Sequence, residues 1–162
     1  MLPKIKDNYK KQNKQNIVEI YPSNSFVLQF DGCSRSNPGL AGAGAVIYHD
    51  NDEILANHFF VGTNATNNHA EYAGLILGLE HAIQMNIKNL IVEGDSLLVI
   101  NQMTGTYKCN SINLIELYDK AKELSKEFET ITFNHIYRNK NKRADQLSNM
   151  AVDEYLQANE IE

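Results

Sequence analysis

The sequence has no long apolar run and very few cysteines. None of its hydrophobic stretches approaches the roughly 18 residues that a membrane span needs, and its lysine-rich start lacks the apolar core of a secretory signal. The two cysteines, Cys33 and Cys109, lie far apart and form no CxxC pair, so neither a disulfide framework nor a zinc knuckle is expected. We therefore expect a soluble intracellular protein, cytoplasmic or nuclear, with two reduced thiols.

Size and charge indicate one folded domain preceded by a basic segment. The chain has 162 residues, of which 43% are hydrophobic, and its formal net charge is −5. Residues 1–16 nevertheless contain five lysines and a single acidic residue. We predict a disordered tail and linker over residues 1–24 and a globular domain over residues 25–162. Both a solubilising end and an arm that binds phosphate backbones fit the tail.

Apolar periodicity predicts strands and helices in the order βββαβααβα. Three apolar runs within residues 26–62, the first ending at Asp31, predict an antiparallel meander. Helical spacing follows from Thr66, a suitable N-cap, to Met85. A strand over 90–94 then runs into a helix, which implies a parallel crossover. The expected fold class is α/β, with a five-stranded mixed sheet of three antiparallel strands and then two parallel ones, flanked by helices. The remaining predicted elements are helices over 97–103, 112–128 and 143–157 and a strand over 130–137.

Four carboxylates stand at the ends of these predicted elements. Asp31 ends the first strand, Asp95 ends the fourth, Glu71 lies early in the first helix, and Asp145 opens the last helix. Each alone is explained as a turn residue or a helix cap. If the first and fourth strands are neighbours, however, Asp31 and Asp95 emerge at one edge of the sheet. Glu71 would then overhang the same edge.

Such a group of acids indicates a metal site. Carboxylates in one pocket repel one another, a cost that proteins normally avoid unless a cation is present. Hard oxygen ligands select Mg²⁺ or Mn²⁺. Two such ions about 3.5–4 Å apart can hold the attacking and leaving oxygens of a phosphoryl transfer. Gly74 and Gly78 on the adjoining helix face would allow close packing onto the sheet.

At these residues the sequence resembles the type 1 ribonuclease H family, from about residue 26 to residue 156. Four blocks carry the resemblance, and each brings an acidic residue to an element boundary. They are FDG at 30–32 with NPG at 37–39, TNNHAE at 66–71, GDS at 94–96 with NQ at 101–102, and NKRADQL at 141–147. The resemblance implies a ribonuclease H-like fold.

The resemblance also implies a reaction. Members of this family are endonucleases that cut the RNA strand of RNA–DNA hybrids and leave 5′-phosphate and 3′-hydroxyl ends. The implied cofactor is a pair of Mg²⁺ ions, with Mn²⁺ as an alternative, held by Asp31, Glu71, Asp95 and Asp145. In that mapping Asp31 bridges both ions, Asp145 helps to hold the ion that activates water, and Glu71 and Asp95 hold the other. Glu71 would also contact the ribose 2′-hydroxyl.

Further residues match family positions that contact substrate. Uncharged side chains suit this task because they read shape and hydroxyl groups without demanding a base sequence. The matching positions are Asn37, Thr66, Asn67, Asn68, Asn101 and Gln102. Asparagine and threonine at loops and caps can instead bond only to local backbone, so both interpretations stay open.

Two features depart from other members of the family. The loop before the last acid contains no histidine, and Arg138 takes its place seven residues before Asp145, as in the compact plant and archaeal branch. An arginine cannot shuttle protons at neutral pH, so it is expected to orient phosphate or assist product departure. The basic handle of some members is also missing. Affinity for the hybrid is expected to come from the lysine tail with Arg138, Lys140, Lys142 and Arg143.

Two alternative functions fit the same residues. One is a non-catalytic module that binds hybrids or double-stranded RNA, and the other is an exonuclease or transposase-like phosphoryl transferase. The complete set of four acids favours the ribonuclease. The expected partners are an RNA–DNA hybrid and, as a further substrate, double-stranded RNA. We expect a monomer that does not associate with membranes.

Overall fold

A computed structural model describes residues 21–160. Its strands are β1 (Phe26–Arg35), β2 (Gly39–His49), β3 (Asp52–Ala65), β4 (Asn89–Gly94) and β5 (Thr130–His135). Its helices are α1 (Asn67–Gln84), α2 (Leu97–Met103), α3 (Ile115–Ser125) and α4 (Lys142–Ala158), and a 3₁₀ turn over Arg138–Lys140 precedes α4. The predicted element order is confirmed. The predicted tail lies outside the described residues except for its last four, and its boundary stays a prediction.

The five strands form one mixed sheet in the order β3-β2-β1-β4-β5. The strands β1, β2 and β3 pair antiparallel as the predicted meander. The strand β4 runs parallel to both β1 and β5. The predicted fold class is therefore confirmed, and the first and fourth strands are neighbours, as the metal-site argument requires.

The first strand is longer than predicted, and Asp31 does not end it. Parallel pairing with β4 stops at Phe30 and Gly94, but antiparallel pairing with β2 continues to Arg35 and Leu40. The predicted end of β1 was wrong because β1 pairs with β2 over a longer stretch than with β4. Asp31 is the first residue of β1 beyond its β4 pairing, so that side of the strand is open at the carboxylate.

The helices cover opposite faces of the sheet. Helix α1 begins after Thr66, whose hydroxyl accepts a hydrogen bond from the His69 N–H at 3.2 Å, and it buries Tyr72 against the sheet. Because side chains alternate along a strand, Ile47 of β2 packs in the α1 core while Val46 packs against α4. Each fully buried large apolar side chain contributes about 1.5–3 kcal/mol. No helix within residues 21–160 is long and apolar enough to cross a bilayer.

Candidate active site

Three of the four predicted carboxylates meet at one edge of the sheet. Asp31 lies on β1, Glu71 on the second turn of α1, and Asp95 directly after β4. One carboxylate oxygen from each lies within 4.8 Å of the others. The three residues come from distant parts of the chain, so only the fold creates this group. We call it the carboxylate cluster.

Two glycines allow α1 to approach β1 this closely. A Cβ atom on Gly74 would lie 2.4 Å from the Asp31 carbonyl oxygen, and one on Gly32 would lie 2.3 Å from the Glu71 backbone nitrogen. Real Cβ contacts are never this short, so any side chain at either position would push the helix off the strand. The packing role predicted for Gly74 is confirmed, and its consequence is that Glu71 can reach Asp31.

Burial makes the carboxylate cluster electrostatically costly. Asp31 is 4% exposed and Glu71 is 8% exposed. Burial, reinforced by the charges of Asp95 and Asp145, raises the pKa of Asp31 to about 7, although hydrogen bonds from Glu71 and the Gly32 N–H oppose the shift. Burial and the Asp31 charge raise the pKa of Glu71 well above its ordinary value. Without a cation the cluster therefore retains protons that carboxyl groups normally lose.

The residues of the cluster fit a divalent cation. The Oε2 atom of Glu71 is buried and has no hydrogen-bond partner in the described part of the chain. Leaving such an atom unpaired costs about 1–3 kcal/mol, and more for a charged group. A cation bound by the cluster would both pair this oxygen and offset the repulsion. All three donors are hard oxygen atoms, which suit Mg²⁺ or Mn²⁺.

The fourth predicted carboxylate stands apart from the other three. Asp145 is half-buried in the first turn of α4 and is not a member of the carboxylate cluster. Its charge nevertheless acts on the pKa of Asp31. The side-chain amide of Asn149 donates to the Asp145 carbonyl oxygen at 3.0 Å and to its Oδ1 at 3.4 Å. The predicted quartet is therefore three joined acids and one near them.

Sequence reasoning missed one residue of the site, Asn141. It is fully buried, and its side-chain amide donates to the Phe30 carbonyl oxygen at 2.9 Å and to Asp95 Oδ2 at 3.2 Å. Its backbone carbonyl oxygen accepts from the Asp145 N–H at 3.1 Å. Asn141 thus connects β1, the acid after β4 and the start of α4. The only sequence signal was its place four residues before Asp145 in the fourth block.

Three predicted substrate residues use their side-chain oxygens to accept hydrogen bonds from backbone N–H groups. Thr66 caps α1, as described above. Asn37 Oδ1 accepts from the Asn67 N–H at 3.0 Å, and Asn67 Oδ1 accepts from the Ser34 N–H at 2.7 Å. The interpretation as a bond to local backbone therefore holds for Thr66, whereas the oxygens of Asn37 and Asn67 bond to backbone 30 and 33 residues away in the sequence. All three residues are exposed beside the start of α1, and substrate contact through their remaining groups stays a prediction.

The other three predicted substrate residues differ from one another. Asn68 is exposed and Asn101 is half-buried, and neither side chain has a hydrogen bond within residues 21–160. Gln102 is buried, and its Oε1 accepts from the Tyr72 hydroxyl. This oxygen faces the core because Gln102 shares the buried side of α2 with Val99. The placement gives the predicted contact of Gln102 no support.

Two basic residues that were expected to bind the hybrid, Arg138 and Arg143, differ in whether they already have a partner. Arg138 is exposed at the 3₁₀ turn, and the Ile136 N–H before it donates to the Gly94 carbonyl oxygen at 2.9 Å. This bond ties the segment before the turn to Gly94, the last residue of β4. Arg143, by contrast, pairs with Glu53 of β3 at 2.7 Å. The predicted role of Arg138 stays a prediction, whereas the guanidinium of Arg143 already has a partner.

Comparison with known proteins defines the class. The family model described as "Reverse transcriptase-like" matches residues 29–151. The chain is 41% identical over 128 residues to the bifunctional protein Rv2228c of Mycobacterium tuberculosis, covering 78% of this chain and 35% of that protein. It is 39% identical over 125 residues to ribonuclease HI of Halobacterium salinarum, covering 77% and 63%. The chain thus spans about a third of the length of the mycobacterial relative.

Solved structures agree with this class. The N-terminal RNase H domain of Rv2228c has a TM-score of 0.79 and 38% identity, covering 84% of this chain and 99% of that one. LC11-RNase H1, solved in complex with an RNA/DNA hybrid, has a TM-score of 0.76 and 35% identity, covering 82% and 99%. The chain belongs to the type 1 ribonuclease H family.

Proposed function

We propose that this chain is a metal-dependent endonuclease that hydrolyses the RNA strand of RNA–DNA hybrids and leaves 5′-phosphate and 3′-hydroxyl ends. The observation that carries the proposal is the buried carboxylate cluster with its unpaired Glu71 oxygen. A binding module would have no use for such a costly group. The names of the relatives support the same activity, since one is a ribonuclease HI and another was solved with a hybrid.

The proposed cofactor is a pair of Mg²⁺ ions, with Mn²⁺ as the alternative. Asp31, Glu71 and Asp95 would hold them, with Asp145 completing the site from α4. Bound divalent cations supply positive charge to the reacting phosphate and lower the pKa of water. The chain's own contribution is to fix the four carboxylates and to exclude bulk water from the buried oxygens of Asp31 and Glu71.

The proposed substrate surface surrounds the cluster. Exposed amide groups beside the start of α1 suit the minor groove and its 2′-hydroxyl groups. Arg138 suits a phosphate, because its guanidinium is exposed and has no hydrogen bond or ion pair within residues 21–160. The side-chain oxygen of Gln102 plays no part in this surface. The uncharged residues proposed here are Asn37, Thr66, Asn67, Asn68 and Asn101.

The test compares wild type with Asp95→Asn on end-labelled RNA–DNA hybrid, duplex RNA, single-stranded RNA and duplex DNA, with Mg²⁺, Mn²⁺ or EDTA. We expect metal-dependent internal cuts in the RNA of the hybrid, abolished by the substitution. Asp119→Asn, an exposed acid on α3, is the matched control and should cut normally. Tight binding without cleavage under every condition would instead indicate a binding module, and cleavage that survives Asp95→Asn would refute the metal site.

We further propose that the basic tail supplies affinity. Each lysine–phosphate contact releases counterions, so removing the lysines makes binding less dependent on salt concentration. Deleting residues 1–16 should therefore raise KM for the hybrid and reduce the salt slope without changing the single-turnover rate. Replacing the five lysines by glutamine should reproduce the deletion. An unchanged KM and salt slope would refute this role.

The proposal includes a monomer that acts inside the cell, in the cytoplasm or nucleus. Cys33 and Cys109 form no disulfide with each other, and proteins of these compartments usually keep their thiols reduced. Cleavage of duplex RNA is measured in the same assay as cleavage of the hybrid. Light scattering of the full chain at assay concentration measures the oligomeric state.

A further inference from the structure

Asp145 depends on α4 for its position, and Arg35 of β1 contacts α4 at the two turns that follow Asp145. Arg35 ends β1, four residues after Asp31. Its Nη2 donates to Asp153 Oδ1 at 2.8 Å, to Asn149 Oδ1 at 3.2 Å and to the Asn149 carbonyl oxygen at 3.5 Å. The guanidinium therefore forms hydrogen bonds to two successive turns of α4. These contacts connect the strand that carries Asp31 with the helix that carries Asp145.

The contacts also decide which way the Asn149 amide points. A guanidinium has only donors, so the Asn149 atom that faces Arg35 must be the oxygen. The Cys33 sulfur lies 3.8 Å from the same oxygen and is a weak donor as well. The NH₂ group of Asn149 must then face Asp145, where it donates to Oδ1 and to the carbonyl oxygen. In the opposite orientation the amide oxygen would face the carboxylate and repel it.

We propose that Arg35 is a positioning residue for Asp145 and acts through the Asn149 amide. This inference rests on the proposed function, because it assigns Asp145 to the metal-dependent reaction. Arg35 holds the amide oxygen, the amide nitrogen holds the Asp145 carboxylate, and Asp153 aims the guanidinium. Substituting a residue that holds a metal-binding side chain in this way typically lowers metal affinity or activity by about 10–100-fold.

The ion pair itself is not the important contact. The Arg35 side chain is 38% exposed and that of Asp153 is 65% exposed, and exposed pairs contribute little to stability. Its effect is on direction, since it fixes a side chain that would otherwise sample many rotamers. A direct contact of Arg35 with a substrate phosphate is the competing role. The two roles differ in what they predict when Asn149 is removed.

The test is a double-mutant cycle with Arg35→Met, Asn149→Ala and the double variant. Two readouts are used: the Mg²⁺ concentration for half-maximal cleavage, and the rise in Tm with Mg²⁺ in the absence of substrate. Each single variant should need about 10-fold more Mg²⁺ in both readouts, with KM for the hybrid unchanged. The double variant should be no worse than Asn149→Ala, because Arg35 acts only through that amide.

Matched controls separate positioning from folding. Asp153→Asn and Glu154→Gln alter adjacent residues of α4 that each pair with a strand residue, Arg35 and His58 respectively. Only Asp153→Asn should raise the Mg²⁺ requirement. Arg35→Lys keeps a donor for the amide oxygen and should recover part of the loss. If Asn149→Ala fails to fold, the Arg35→Met and Arg35→Lys pair still tests the proposal.

Three outcomes would overturn the inference. A raised KM with an unchanged Mg²⁺ requirement would mean that Arg35 binds substrate directly, as would full additivity in the double variant. Equal effects of Asp153→Asn and Glu154→Gln would mean that the pair only stabilises α4. If wild type fails to cleave any hybrid, the proposed function fails instead, and the Tm readout still measures the link to Mg²⁺.

Discussion

The two halves of the candidate active site hold their carboxylates by different means. In the carboxylate cluster, α1 contacts β1 through glycines, Asp31 and Glu71 are buried while Asp95 is half-buried, and one Glu71 oxygen has no partner among residues 21–160. On α4, Asp145 is half-buried and receives hydrogen bonds from Asn149. The first half is left incomplete by the protein and needs a cation. The second half is held by protein contacts alone.

The largest expected effect comes from removing a charge in the incomplete half. Asp31→Asn keeps the shape of the side chain but loses a charged ligand. Because metal ions supply several kcal/mol to such reactions, cleavage should fall by at least about 10³-fold. Metal-free Tm should rise, since a buried charge and its repulsion are removed. Single-turnover cleavage and thermal unfolding in EDTA measure both, and a loss of activity with an unchanged metal-free Tm would contradict the comparison.

The pH dependence of the metal-free protein tests the same half. The pKa of Asp31 is about 7 in the folded protein against 3.8 for an ordinary aspartate, so the folded state binds more protons between these values. This contribution to stability is complete below about pH 4 and is lost as pH rises through about 7, with a slope approaching 1.4 kcal/mol per pH unit. Urea unfolding in EDTA at several pH values measures it. Asp31→Asn should reduce the measured slope, although the raised pKa of Glu71 leaves part of it in place, and an identical slope in the variant would refute the assignment.

A smaller effect is expected where the two halves are joined. Asn141→Ala removes the hydrogen bonds to Phe30 and Asp95, so activity should fall by about 10–100-fold, with about 1–3 kcal/mol lost in stability. Asn139→Ala, an exposed asparagine in the preceding 3₁₀ turn, is the control. Cleavage rate and urea unfolding are measured for both. Similar behaviour of the two variants would mean that Asn141 does not connect the halves.

The smallest effect concerns the contact between α1 and β1. Gly74→Ala should gain helix propensity, but its Cβ would collide with the Asp31 carbonyl oxygen, which cannot move independently of the strand. The collision should outweigh the gain in helix propensity, so the free energy of unfolding should fall by about 1–3 kcal/mol. A Cβ at Gly62 of β3 meets nothing within 4 Å, so Gly62→Ala should be nearly neutral. A stable Gly74→Ala protein with normal Mg²⁺ dependence would show that close contact is not required.

Local signals predicted much of the fold. Thr66 before a helical apolar pattern placed the start of α1 correctly, because N-caps act within four residues. The pattern of separated acids was enough to predict a shared edge for Asp31, Glu71 and Asp95, but it also grouped Asp145 with them, and Asp145 lies outside the cluster. The end of β1 was predicted wrongly because the length of a strand depends on the strands with which it pairs. The burial of Gln102 was not predicted because sequence spacing does not show which side of a short helix faces the core.

The sequence by itself determined the element order, the family and the presence of acids at element boundaries, since these depend on residues close together along the chain. Only the tertiary structure decided that three acids form a cluster while Asp145 stands beside it. It also assigned the partners of Asn141, Arg35 and Asn149. Those contacts join residues up to 118 positions apart, and a hydrogen bond or a shifted pKa depends on distances that no local pattern contains.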